Sequence, residues 1–272
     1  MIRQNLHTHS VYVDGKDTLE EMIQTAIEKG FTKLGFSEHA YLPQDDVCMS
    51  PERTEQYIRE VNHFKEKYQD QIEIYLGLEQ DMCHRDPHPE VYDFLIGSGH
   101  YLEHNGEYLS VDNTKEISRH MVRDWYGNDF LKYADAYYSQ LKQMADWQEV
   151  DIIGHIDLLM KFNEDESFLS FDDPRYIALA CDCIDALSHK IFEVNTGAIS
   201  RGYRKSPYPH ISLLKYMKEK GVRICLNSDC HNRPDLDCYF KEALDMIKSC
   251  GYTGMMTLTS DGFQEVGIEE FF

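Results

Sequence analysis

The chain has 272 residues, 42% of them hydrophobic, with a formal net charge of -21. That apolar share can build a sizeable core and sets aside wholesale disorder. The acidic balance sets aside nucleic acid and anionic membrane as partners, although bound metal ions can reverse the field locally for an anionic substrate.

In chain order the pattern alternates strand and helix. A short apolar strand is expected at 4–6. Thr18 and Glu21 then form a capping box ahead of Leu19, Ile23, Ala26 and Ile27 at helical spacing. A strand at 33–36 follows, then a helix opened by Ser50 and Pro51 and running to about Tyr68. Strands are expected at 73–78 and 94–97. A helix is expected over 129–148, with Phe130, Tyr133, Ala134, Tyr137, Leu141 and Met144 on one face. Beyond it come a strand at 150–153, a helix from Asp173-Pro174 to Ser188, and a strand at 191–195. The last elements are a helix at 210–220, a strand at 222–227 and a helix at 236–250, with Gly221 and Gly251 where C-caps belong. The apolar run at 255–258 is either an eighth strand or a closing segment.

Such alternation argues for an α/β fold with a mostly parallel sheet, and continuous apolar strands fit a sheet covered on both faces. A closed barrel needs roughly 250 residues, so 1–272 reads as a single domain without a linker. The open doubly wound alternative needs a glycine-rich turn after the first strand, and none is present. No stretch approaches the roughly 18 apolar residues of a membrane span. The N-terminal pentapeptide has no apolar signal-peptide core. The eight cysteines form no CxxC pair and read as reduced thiols of a cytoplasmic protein, monomeric or homo-oligomeric.

Residues that bind metals cluster just after the strands. His7 and His9 are two apart in a strand, so both imidazoles point the same way. His39, Glu79, His100, His155, Asp229 and His231 follow successive strands, where the chemistry of a βα barrel gathers. With Asp14 in the turn Asp14-Gly15, this set exceeds what one tetrahedral ion can use, and three divalent ions are the natural count. Imidazole mixed with carboxylate suits zinc, manganese or iron better than magnesium or calcium. Adjacent cations suit hydrolysis of a phosphate monoester, a very slow reaction without catalysis. Asp157 stays outside the ligand set, because it can instead pair with His155. His84 and His88 form a second pair in a polar loop and read as a lid at best.

The motifs Leu-His-Thr-His-Ser…Asp-Gly, Ser-Glu-His, Gly-Ser-Gly-His-Tyr-Leu, Gly-His-Ile-Asp-Leu-Leu-Met-Lys-Phe, Phe-Glu-Val-Asn-Thr and Asn-Ser-Asp-Cys-His resemble the polymerase and histidinol phosphatase (PHP) family, most closely its histidinol-phosphatase branch. The resemblance implies a distorted (β/α)7 barrel with a trinuclear site at the C-terminal ends of the strands. It implies His7, His9, Glu79 and Asp229 around one ion, bridging Glu79 with His100 and His155 around a second, and His39 and His231, with Asp14 beside them, at a third. Asp14 stands where some members have histidine.

The implied activity is hydrolysis of L-histidinol phosphate in histidine biosynthesis, by a hydroxide held between metal ions. Another small phosphate ester or a nucleotide is the alternative substrate. Arg201 and Lys161 are the expected phosphate-binding cations. Asp229 or His231 is the expected proton donor to the leaving alkoxide. Asp45, Asp46 or Tyr41 are candidates to meet the substrate ammonium.

Overall fold

The computed structural model describes residues 1–271. The chain runs β1 (Gln4–Asn5), α1 (Leu19–Glu28), β2 (Lys33–Phe36), α2 (Pro51–Tyr68), β3 (Glu73–Asp81), β4 (Phe94–Ser98), β5 (Tyr101–His104), β6 (Glu107–Ser110), α3 (Lys115–His120) and α4 (Phe130–Leu141). It continues through β7 (Ile152–Ile153), α5 (Pro174–Leu187), β8 (Ile191–Asn195), α6 (Gly197–Ser200), α7 (Ile211–Glu219), β9 (Arg223–Asn227), α8 (Phe240–Ser249), β10 (Gly254–Thr259) and β11 (Gly262–Gly267).

Seven strands form one sheet in the order β1-β2-β3-β4-β7-β8-β9, and every pairing in it is parallel. These are the seven strands expected from sequence, with small shifts at their ends. β2, β4 and β8 are buried along their whole length, which explains why their sequences are mostly apolar. The helices start where the caps predict. Thr18 and Glu21 cap α1 reciprocally, Ser50 caps α2 ahead of Pro51, and Asp173 caps α5 ahead of Pro174. Five elements are additional to the expected set: strands β5, β6 and β11 and the short helices α3 and α6. β5 and β6 form a hairpin around Asn105 and Gly106, both with positive φ, and α3 follows it.

The sheet curls into a (β/α)7 barrel that is distorted where β9 meets β1. There the backbone ladder is replaced largely by side chains. Leu6 N–H donates to Asn227 Oδ1 at 2.8 Å, and Asn5 Nδ2 donates to Ser228 Oγ at 2.7 Å. Past the strand ends, the His9 N–H reaches the Cys230 carbonyl at 3.0 Å. This seam brings the His7-Thr8-His9 segment beside Asp229 and His231.

Inside the barrel, Leu6, Tyr75, Phe94, Ile96, Ile152, Ile191 and Cys225 pack together. The Phe94 ring occupies the space above Gly77, where a Cβ would overlap it. The same cluster includes Met256 and Leu258 from β10. The run at 255–258 is therefore the closing segment and not an eighth barrel strand. Among the described residues it pairs only with β11, antiparallel, and the hairpin seals the mouth formed by the strand N-termini. Gln4 Oε1 accepts from Leu258 N–H and Thr257 Oγ1, both at 2.9 Å, and Tyr75 OH donates to the Leu258 carbonyl at 3.1 Å. The opposite mouth is left for chemistry. Among the described residues, no helix is long and apolar enough to cross a membrane.

Leu258 is 3% exposed, and truncating it opens a cavity at the floor of the barrel. Leu258→Ala is expected to lower the unfolding free energy by about 2–5 kcal/mol in urea titration. A loss below about 1 kcal/mol would show that the hairpin does not seal the interior.

Candidate metal centre

Glu79, near the end of β3, is 1% exposed and lies at the centre of the cluster. Its two oxygens face different histidines. Oε1 is 3.1 Å from His155 Nε2 and 3.4 Å from His100 Nε2, and accepts from Ser98 Oγ at 2.6 Å. Oε2 is 2.9 Å from His39 Nδ1, 3.2 Å from His7 Nε2 and 3.5 Å from His9 Nε2. Asp229 approaches from the β9 side. Its Oδ1 is 3.3 Å from His9 Nε2, 3.6 Å from His7 Nε2 and 3.7 Å from His231 Nδ1. Asp229 is held at φ 47°, a left-handed conformation that aspartate tolerates better than most residues.

Four sets of ligand atoms lie within 4.8 Å of one another: His9, Asp14, His39 and His231; His7, Glu79 and His155; His7, His9 and Asp229; and His39, Glu79 and His100. All nine residues named from sequence as ligands thus converge. The grouping differs from the one the resemblance implies: there are four overlapping sets, and His100 and His155 meet Glu79 in separate ones, His155 together with His7. His9 joins the outer set with Asp14, His39 and His231. His39 also reaches Glu79 and His100. Asp14 is the most exposed member, with Oδ2 3.2 Å from His231 Nε2 and Oδ1 4.0 Å from His39 Nε2.

The electrostatics follow from packing many ionisable groups away from water. Burial opposes ionisation of Glu79, but the charges of His7, His100 and His39 outweigh it and hold the carboxyl well below its usual range. Asp229 is likewise held low against burial, chiefly by Arg201 and His7. His9 is pushed down to about 3 by burial and by the neighbouring charges of His39 and His231. Both of those rings stack on it with centroids 4.4 Å away. His100 moves the other way. Burial lowers it, but Glu79 and Asp81 raise it to about 10.

The donor set fits divalent transition-metal ions. It consists of imidazole nitrogens and carboxylate oxygens, the mixture that zinc, manganese and iron accept. Several of its buried atoms, His7 Nε2, His9 Nε2 and Glu79 Oε2, have no hydrogen-bond partner. Such atoms are costly unless they ligate something.

Arg201, at the end of α6, lines the cavity and holds Asp229 twice. Nη2 donates to Asp229 Oδ2 at 3.0 Å and Nη1 to its carbonyl at 2.9 Å. Gly197 makes room for this pair, since a Cβ there would sit 2.9 Å from both Arg201 Nη2 and Asp229 Oδ2. Lys161 also lines the cavity, but its ammonium is engaged. Nζ donates to the Asp112 carbonyl at 2.8 Å and to Oδ2 at 3.0 Å. Of the three candidates for a substrate ammonium, Asp45 lines the cavity, whereas Asp46 and Tyr41 are not among its walls; neither are His84 and His88.

Two buried acids had no role assigned from sequence. Glu193, in β8, accepts from His7 Nδ1 at 2.7 Å, Asn227 Nδ2 at 2.9 Å, Asn195 Nδ2 at 2.9 Å and the His155 N–H at 3.1 Å. It fixes the proton of His7 on Nδ1 and leaves Nε2 for a metal. A charged residue alone in an apolar strand was the available signal. Glu38, pushed up to about 7 by burial, accepts from Ser10 N–H at 2.8 Å and braces the His9 segment. Asp157 pairs not with His155 but with Arg204, at 3.4 Å and wholly buried.

A sequence profile of the PHP domain matches residues 5–197. The Schizosaccharomyces pombe protein named "Probable histidinol-phosphatase" is 26% identical, covering 92% of this chain and 87% of its own. The Bacillus subtilis histidinol-phosphatase is 24% identical, covering 90% of this chain and 99% of its own. Among solved structures, the Lactococcus lactis histidinol phosphate phosphatase, complexed with zinc, L-histidinol and phosphate, superposes with a TM-score of 0.71 at 21% identity. It covers 96% of this chain and 98% of that one.

Glu193→Gln is expected to weaken metal binding by about 10- to 100-fold, as loss of a ligand-orienting carboxylate does elsewhere; equal affinity in a metal titration would remove Glu193 from this role. With its proton held up to about 10, His100 must release it when a metal binds. Apparent metal affinity should therefore rise with pH through the neutral range, by about tenfold per unit for each proton released. Calorimetry in buffers of different ionisation enthalpy measures that release, and a value of zero would contradict the assignment.

Proposed function

This chain belongs to the PHP domain family, and from that premise we propose that it is a metal-dependent phosphomonoesterase that hydrolyses L-histidinol phosphate to L-histidinol and phosphate. The observation that carries the reading is the two-faced Glu79, with histidines on both of its oxygens and Asp229 and Arg201 across the cavity. The curated relatives named for this activity span nearly the whole chain. The proposal extends to three divalent ions, zinc, manganese or iron, and to a cytoplasmic enzyme whose eight cysteines are free.

His7, His9, Glu79 and Asp229, then Glu79 with His100 and His155, then His39, His231 and Asp14 would hold the ions, with His9 and His39 each in reach of two neighbouring sets. When bound, the ions supply positive charge that steadies phosphoryl oxygens and makes water more acidic. The side chains do the rest. Arg201 has donors left after holding Asp229, and its planar fork suits a phosphoryl oxygen. Asp229, held ionised, can take a proton at Oδ1 from the attacking water and return it to the leaving alkoxide. His231, whose Nδ1 lies 2.9 Å from Arg201 Nη1, accepts there, because a guanidinium can only donate.

Metal-loaded protein should release phosphate from L-histidinol phosphate in preference to p-nitrophenyl phosphate, fructose bisphosphate and an oligonucleotide. Chelation should abolish release, and zinc or manganese should restore it. No release from any ester by fully loaded protein would overturn the reading. Arg201→Ala is expected to raise KM about 10- to 100-fold, the worth of a charge-assisted contact, and to weaken metal binding as well, because Arg201 also holds Asp229. Glu79→Ala should lose the ions it bridges, and three ions per chain in that variant would refute the bridge.

A further inference from the structure

The cavity above the cluster, about 400 Å³, is lined by four carboxylates beyond the ligand set: Asp45, Asp81, Asp112 and Asp235. Three of them are engaged in ways that explain their presence. Asp81 accepts the N–H groups of His100 at 2.7 Å, Cys83 at 2.8 Å and Tyr101 at 3.2 Å, so it shapes the loop that carries His100. Asp112 is neutralised by Lys161 at 3.0 Å. Asp235 closes its own turn with Asn232 at 2.8 Å, on the Arg201 and His231 side where the phosphate belongs.

Asp45 is different. It lies on the loop after β2 that carries His39, against Tyr101, the sequence neighbour of His100, and Arg201 lies on the loop after β8. Its partners are all neutral: Val47 N–H at 2.9 Å, Tyr101 OH at 2.5 Å and Cys48 Sγ at 3.6 Å. Among the described residues no cation pairs with it. A carboxylate offers about four acceptor positions, so these donors leave it capacity. Leu42 and Val47 line the wall beside it, an apolar surface for a hydrocarbon stem.

We propose that Asp45, positioned by Tyr101, is the counter-charge for a protonated amine on the leaving group, so that the cavity selects amino-alcohol phosphates. This rests on the phosphatase reading above. The cavity then has two ends. The metal ligands and Arg201 take the phosphoryl group, and Asp45 takes the ammonium, which a carboxylate recognises by a charge-assisted hydrogen bond.

Binding without chemistry tests it. L-histidinol and its des-amino counterpart are titrated by calorimetry into metal-loaded wild-type, Asp45→Asn and Asp45→Glu proteins, with metal content and thermal unfolding as controls. The wild type should favour the amine by about 10- to 100-fold. Asp45→Asn should erase that preference, and Asp45→Glu should restore part of it. The kcat/KM ratio for the corresponding phosphate esters should follow, mainly through KM. Absence of an amine preference in the wild type, or equal weakening of both alcohols in Asp45→Asn, overturns the proposal even where histidinol phosphate is hydrolysed. An Asp45-dependent amine preference without phosphate release from any ester upholds the subsite and sinks the phosphatase reading instead.

Discussion

A carboxylate cannot be buried at 1% exposure among histidines without partners that match its charge, and Glu79 sets the terms for everything around it. Each of its oxygens serves a different group of imidazoles. One group comes from strand ends on the β4 and β7 side, the other from β1 and β2. Removing the negative charge would leave the histidines repelling one another. Removing the histidines would leave an uncompensated buried anion. The mutual dependence explains why residues spread over more than two hundred positions form one chemical unit.

The barrel serves this unit at both ends. At the seam between β9 and β1, Asn5 and Asn227 replace part of the backbone ladder with side-chain hydrogen bonds. That irregularity lets His7 and His9 approach Asp229, whose left-handed φ turns its carboxylate inward. Local strain of this kind persists where the surroundings over-determine it, and the double hold of Arg201 on Asp229 is such a surrounding. At the other end the β10–β11 hairpin closes the interior with Met256 and Leu258, so the apolar core is completed without blocking the functional mouth.

Much of this was legible in the residues. Burial on both faces makes a parallel strand unbroken in hydrophobicity, so seven strands could be read directly, and the caps at Thr18, Ser50 and Asp173 mark helix starts for local reasons. The candidate ligands were legible because most of them closely follow a strand, Asp14 in its turn being the exception. What escaped depends on distance in sequence or on weak patterning. The Asn105-Gly106 turn was a fair hairpin signal, but its flanks, His104 and Glu107, are polar and partly exposed, so no alternation announced the strands. The run at 255–258 told of burial and not of where. Glu193 stood inside an apolar strand, yet three of its four donors, His7, His155 and Asn227, come from other segments that only the closed barrel assembles. The regrouping of His9 and His39 likewise depends on ring packing that spacing does not encode.

The pair Asp157–Arg204 shows how the loops are kept in register. Both side chains are fully buried, 3.4 Å apart, and Asp157 also accepts the His210 N–H at 2.9 Å. Arg204 lies over the rings of Tyr208 and Phe171, at 4.5 and 5.0 Å from their centroids. A buried ion pair is a poor source of stability compared with apolar packing of the same volume, and here Asp157 Oδ1 and Arg204 Nε lack partners of their own. The pair is better understood through what it connects. Asp157 is two residues from His155, and Arg204 is three from Arg201. Their contact ties the loop after β7 to the loop after β8, so that His155 and Arg201 cannot move independently. Fixed mutual placement of such groups is what allows binding energy to act on the reacting centre.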